Sequence, residues 1–280
     1  MRIHLFGISL IVGFFCVGIG QSYADTGRYR IMWRDDPSTS MVIGWDQYSG
    51  NGAIVYYDTK SHGRTPTAYR FKNKVDKAHA AKGMNNRYAR LSNLQPNTVY
   101  YFVIKDSEGV SPVFSFQTIP DIPTEKLSII AGGDSRNHRA ARCLANSLVG
   151  KLRPHFIIFD GDMTNNDSAR DWQMWLDDWQ QTISPDGRLF PIVVAQGNHE
   201  QSPQSLIDIF DLKASKAYYG LNFGGTLLRL YTLNSEMAPN GDQLDWLAND
   251  LHQNRKIFTW TFAQYHRAIR PHTLDKKPMN

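Results

Sequence analysis

The chain has 280 residues, 41% of them hydrophobic and 20% charged, which is enough apolar material for a sizeable core and too much chain for one ordinary domain. Its formal net charge of +5 is mildly basic, without a Lys/Arg run or a basic stripe interleaved with aromatics, so an anionic substrate is favoured and a nucleic-acid groove is not expected. Cys16 and Cys143 are the only cysteines, so a metal would have to be held by Asp, Asn and His.

At the start of the chain, Arg2 precedes an apolar run over residues 5–19, which ends in Ser22-Tyr23-Ala24, the small-x-small pattern of a signal-peptidase site. The run is broken by glycines and falls short of the roughly 20 residues of a spanning helix. Residues 1–24 are therefore expected to be a removed signal peptide, leaving a secreted or periplasmic protein with no membrane association and with Cys143 as its single cysteine. Cys16 lacks the Leu-small-small context of a lipoprotein signal.

Over residues 29–118, short alternations of apolar and polar residues at 41–45, 54–57 and 99–104 are separated by Gly, Pro, Asn and Asp clusters, which predicts a small all-β sandwich. Pro120 and Pro123 then stiffen a linker. Beyond it, apolar runs at 127–131, 156–159, 192–195, 227–233 and 257–262 read as buried strands. Segments 139–152, 168–183 and 243–254 carry apolar residues at spacings of three and four and read as helices, giving an α/β layout. Trp172, Trp175 and Trp179 share one face of the second helix, a pattern of packing on a sheet.

Chemistry-bearing residues follow these strands: Asp134 after the first, Asp162 after the second, Asn198-His199-Glu200 after the third and His266 after the fifth. In open α/β sheets the carboxyl ends of strands lie along one edge, where ligands bind. Gly132, Gly133, Gly161 and Gly197 lie at the same ends and permit tight turns there. Any one such Asp, taken singly, is most often a helix cap or turn residue.

The ordered set is more specific. Gly133-Asp134, Gly161-Asp162, Gly197-Asn198-His199-Glu200 and a later apolar strand leading to His266 resemble the calcineurin-like metallophosphoesterase superfamily. In front of them, Leu91, Leu94, Pro96 and Tyr100 follow a pattern similar to fibronectin type III domains, as in the purple acid phosphatase branch. With the signal peptide at 1–24 and the linker at 119–126 read from their own patterns, the resemblance implies a fibronectin III-like all-β sandwich at 25–118 and an α/β metallophosphoesterase domain at 127–280. It also implies two metal ions, Fe, Zn or Mn, that clamp a phosphoryl group and acidify a water so that hydroxide hydrolyses a phosphate monoester of a small substrate.

Carried over residue by residue, Asp162 bridges the two metals, Asp134 binds the first, and Asn198 and His266 bind the second. His199 is the catalytic residue that contacts phosphate or protonates the leaving group. Glu200 supports the ligands from behind. Three features depart from the pattern. Asn165 stands where the purple enzymes have a metal-binding tyrosine, so the centre should lack their colour, with Asn165 or a water filling that position. Arg136 stands where some relatives have histidine and is a candidate fork for phosphate oxygens, or else an ion-pair residue. The expected GHxH motif is absent, and His272 has the wrong setting to replace it, so the phosphoesterase domain is expected to be C-terminally incomplete. Two other functions fit the same residues: a phosphodiesterase on the same metal pair, and a non-catalytic secreted binding protein with a vestigial phosphoesterase domain.

Overall fold

The structure is a computed structural model that describes residues 22–238 and 240–268. Residues 1–21 of the expected signal peptide, Cys16 among them, and His272 lie outside the described residues. Among the described residues no helix is long and apolar enough to cross a membrane.

The first part of the chain folds into two four-stranded antiparallel sheets. One joins β1 (Thr26–Met32), β2 (Met41–Gln47), β6 (Met84–Leu91) and β5 (Lys77–Ala81) in that order. The other joins β4 (Phe71–Lys74), β3 (Ile54–Asp58), β7 (Val99–Lys105) and β8 (Phe114–Gln117). The pleat sends alternate side chains inward, so Ile31, Ile43 and Trp45 from one sheet meet Val55, Phe102, Ile104 and Phe116 from the other in a shared core. Tyr100 stacks on Phe116 and accepts a hydrogen bond from the Gln95 amide at 2.9 Å, a packing role at a strand corner.

The second part alternates strands and helices: β9 (Ile129–Gly132), α1 (Arg139–Leu152), β10 (Phe156–Phe159), α2 (Ala169–Trp179), β11 (Ile192–Val194) and α3 (Pro203–Phe210), then β12 (Tyr219–Phe223), β13 (Leu228–Thr232), α4 (Asp242–Asn254) and β14 (Trp260–Gln264). All five expected strands form, but in two sheets and not along one. The parallel sheet β11-β10-β9 is followed by a separate sheet β12-β13-β14, in which β13 and β14 run parallel and β12 antiparallel. Neither α3 nor β12 was expected. Eight residues in α3 are too few for a helical period to stand out, and β12 carries a glycine that weakens its strand signal.

Helix α2 shows how packing shapes this part. Ser168 caps its first turn by accepting from the Asp171 amide at 3.2 Å. Trp172, Trp175 and Trp179 are all buried on the sheet-facing side, and the rings of Trp175 and Trp179 stack at 5.1 Å.

Polar anchors join the two parts. Asp211, fully buried, takes a forked pair of bonds from Arg90 at 2.8 and 2.9 Å, and Arg34 and Lys77 approach it at 3.2 and 3.4 Å. Arg30 Nε and the Tyr88 hydroxyl donate to the carbonyl of Ile209, at 2.7 and 2.9 Å. Removing one member of such a buried set leaves charges uncompensated, at a cost of about 3 kcal/mol or more. Asp211 also has a left-handed backbone, with φ of 48°, which Asn tolerates as well as Asp, so Asp211→Asn isolates the charge. Asp211→Asn is expected to lower the urea midpoint by that amount of free energy without changing the slope of the transition; an unchanged midpoint would show that the anchor contributes nothing.

Candidate metal centre

The parallel pairing of β9 and β10 sets Gly132 opposite Phe159, so the segments that follow them leave the sheet side by side. Backbone bonds keep them together: Asp160 N donates to Gly132 O at 2.9 Å, Asp134 N to Gly161 O at 2.9 Å and Arg136 N to Asp162 O at 3.0 Å. Gly161 has φ of 97°, and a Cβ there would lie 2.5 Å from the Gly197 nitrogen, so only glycine lets the second and third loops approach this closely. Asp134 and Asp162 have φ of 52° and 55°. Left-handed non-glycine residues of this kind cluster at functional sites, and the short Asp side chain tolerates the conformation better than most.

Glu200 ties the loops from beneath. Its buried carboxylate accepts from the amides of Asp162 at 2.8 Å, Met163 at 2.9 Å, Gly197 at 3.0 Å and Thr164 at 3.2 Å. Burial pushes its carboxyl above the ordinary value, partly offset by these donors.

Above this support, three candidate ligands converge. His266 Nδ1 lies 2.9 Å from the Asp160 carbonyl, 3.1 Å separates His266 Nε2 from Asn198 Oδ1, and 3.4 Å separates it from Asp162 Oδ1. A carbonyl only accepts, so Nδ1 carries the proton, and on the neutral ring Nε2 presents a lone pair to two further acceptor oxygens. Three lone-pair atoms without a donor among them call for a cation, either a second proton on His266 or a metal ion. Their spacing matches the separation of about 3.4 Å between ligands that hold a zinc-like ion at about 2.1 Å. This side of the centre fits a metal. Burial raises the Asp162 carboxyl, but His266 and the His199 amide outweigh it and leave the group below its ordinary value. Burial lowers His266, which Asp162 reverses, leaving it raised.

The Asp134 side is different. Arg136 Nε lies 2.9 Å from Asp134 Oδ1 and 3.9 Å from Asp162 Oδ2, so a guanidinium stands between the two carboxylates expected to share the first metal. Arg136 Nη1 is 3.1 Å from His199 Nε2, and His199 Nδ1 is 2.5 Å from the Asn165 carbonyl. A guanidinium only donates, so His199 Nε2 is the acceptor and the ring is neutral in this arrangement. His199 Nε2 can carry a proton for a leaving group only once Arg136 has moved off it. Asn165 joins the site through its backbone; its side chain is exposed and makes no hydrogen bond within the described residues. No group of three or more His, Cys, Asp or Glu side chains among the described residues is arranged to hold a metal; the converging set is two of these plus the Asn198 amide.

Several supporting residues carry no signal in the sequence. Asp178 on α2 takes bonds from Arg139 at 2.6 Å and from Arg142 Nε at 3.1 Å, and Arg142 Nη1 also donates to the Arg136 carbonyl. Trp175 Nε1 donates to Ser135 Oγ at 3.1 Å. Helix packing thus fixes the loop that carries Asp134 and Arg136. An Arg or Asp inside an amphipathic helix reads from sequence as solvated surface, which hides this role.

The family model for the calcineurin-like phosphoesterase matches residues 111–277. The chain belongs to the calcineurin-like phosphoesterase family. A second model, described as the purple acid phosphatase N-terminal domain, matches residues 27–118. Relatives of this chain include Probable purple acid phosphatase 20 of Arabidopsis thaliana, 25% identical with 85% of this chain and 55% of the relative covered. Purple acid phosphatase 23 of the same plant is 24% identical, with 63% and 47% covered. Among solved structures, the purple acid phosphatase PPD1 from yellow lupin seeds (Lupinus luteus) aligns with a TM-score of 0.72 at 13% identity, over 88% of this chain and 52% of that one. The fold is therefore that of a sheet-rich domain followed by an α/β metallophosphoesterase domain. The chain spans about half the length of the curated relatives it matches.

Asp178 also generates a pH prediction. Burial would raise its carboxyl, but the bonds from Arg139 and Arg142 prevail and hold it below its ordinary value. A depressed folded-state pKa contributes stability above the unfolded value of about 4, and that contribution is lost as pH falls through the folded value. Asp178→Asn should therefore lower the melting temperature at about pH 7, and the gap to the wild type should shrink on going to about pH 3. A gap independent of pH would show that the charge is not what stabilises.

Proposed function

We propose that this centre hydrolyses phosphate monoesters of small substrates with the help of metal ions, in an exported protein that is secreted or periplasmic. The observation that carries the reading is the convergence of Asp162, Asn198 and His266, where His266 Nε2 lies 3.1 Å from Asn198 Oδ1 and 3.4 Å from Asp162 Oδ1, a set that calls for a cation, either a second proton on the ring or a metal ion. These three residues would hold one ion; Asp134 and Asp162 are the residues that would hold the other of the expected pair, and the Arg136 guanidinium stands between them. Carboxylate and amide oxygens with an imidazole suit Fe, Zn or Mn. When bound, such ions supply Lewis acidity at the phosphoryl group and a water more acidic than bulk.

The chain's own residues do the rest. Glu200 holds the loops of Asp162 and Asn198 in register and so fixes the donor spacing. Arg136 offers two N–H groups to phosphate oxygens and offsets charge that builds on the transferring group. On engaging phosphate it releases His199 Nε2, whose ring is already oriented by the Asn165 carbonyl. That nitrogen is then placed to carry a proton to the departing oxygen.

Metal analysis of the purified full chain, together with turnover of an aryl phosphate, tests the reading. The wild type should retain Fe, Zn or Mn, and Asn198→Ala and His266→Ala should each lower the metal content and reduce kcat/KM by at least about 100-fold, more than loss of an outer-sphere partner would. Absence of both bound metal and monoester turnover in the wild type would overturn it. A preference for diesters would replace the monoester assignment.

A further inference from the structure

The two halves of the centre are not equivalent. On the Asn198 side an imidazole faces the two oxygens with no Lys or Arg side chain bonded among them, whereas on the Asp134 side the space between the carboxylates holds the Arg136 guanidinium. Several independent contacts set that placement. The Arg136 amide is bonded to the Asp162 carbonyl, its own carbonyl accepts from Arg142, and its backbone has φ of 32°. Its Nη1 is directed at His199. Its Nε is sealed from solvent without a well-aligned acceptor, so its compensation is the Coulombic attraction of Asp134 and Asp162.

We propose that Arg136 replaces the first metal ion of the pair, so that the chain binds a single divalent cation at Asp162, Asn198 and His266. The proposal rests on the metal reading above and narrows it. A dication entering between Asp134 and Asp162 would meet a permanent positive charge held by backbone bonds at both ends of the residue. Asp134 then acts as a counter-ion that positions Arg136, and one metal plus one guanidinium supply the two positive charges that face a phosphate.

The test is a titration of the full chain with Mn2+, read by bound metal per chain and by the electron paramagnetic resonance of the bound ion. Arg136→Gly deletes the guanidinium while accepting the left-handed backbone, and Arg136→Lys keeps a cation without the fork. The wild type and Arg136→Lys should each bind one ion with the spectrum of an isolated Mn2+. Arg136→Gly should gain a second ion and a spectrum of coupled ions. Two coupled ions in the wild type would overturn the proposal, as would a single ion in Arg136→Gly. Absence of binding in all three proteins would overturn the metal reading itself, an outcome distinct from either of these.

Discussion

Four backbone amides from two loops converge on one buried carboxylate, and the geometry of the centre depends on it. Glu200 accepts from Asp162, Met163 and Thr164 on the loop after β10, and from Gly197 on the loop after β11. A buried carboxylate is costly unless its oxygens are satisfied, and a loop amide turned away from water is costly unless it finds an acceptor. Each problem is the other's solution. The pairing also leaves the opposite face of these loops free, so Asp162 and Asn198 present their oxygens upward toward His266.

The same economy extends outward through packing. The tryptophans of α2 bury that helix against the parallel sheet, and from this fixed base Trp175 holds Ser135 while Asp178 holds Arg142, which in turn holds the Arg136 carbonyl. The sandwich contributes from the other side through Arg30 and Tyr88, which reach the last turn of α3, and Arg90, which reaches Asp211 just after it. The loop that carries Asp134 and Arg136 is thus set by helix packing, and the loops of Asp162 and Asn198 by a buried ion.

Much of this was legible in the sequence, for identifiable reasons. Period-two alternation located strands such as β2, β3 and β7 to within a residue or two, and the apolar run at β10 coincides with the observed strand. The closeness of Asp162 and Asn198 was readable from their positions after neighbouring buried strands, whereas His266 follows a strand of the second sheet and was expected beside them from the family resemblance. What was hidden depends on contacts distant in sequence. The division of the strands between two sheets turns on β12, whose glycine and short length mask it. The position of Arg136 between two carboxylates follows from a left-handed backbone and from Arg142, neither of which leaves a local pattern. Glu200 was readable as a supporting residue, but its four amide partners were not, because backbone donors carry no residue identity.

The most direct measurement is amide hydrogen exchange on the wild-type protein, followed residue by residue. Asp162, Met163, Thr164 and Gly197 lie in loops, and unsupported loop amides exchange quickly. If the Glu200 carboxylate organises the centre, these four amides should exchange as slowly as those of the neighbouring strands β10 and β11. Exchange as fast as in an unprotected peptide would contradict the claim that this carboxylate holds the loops in place.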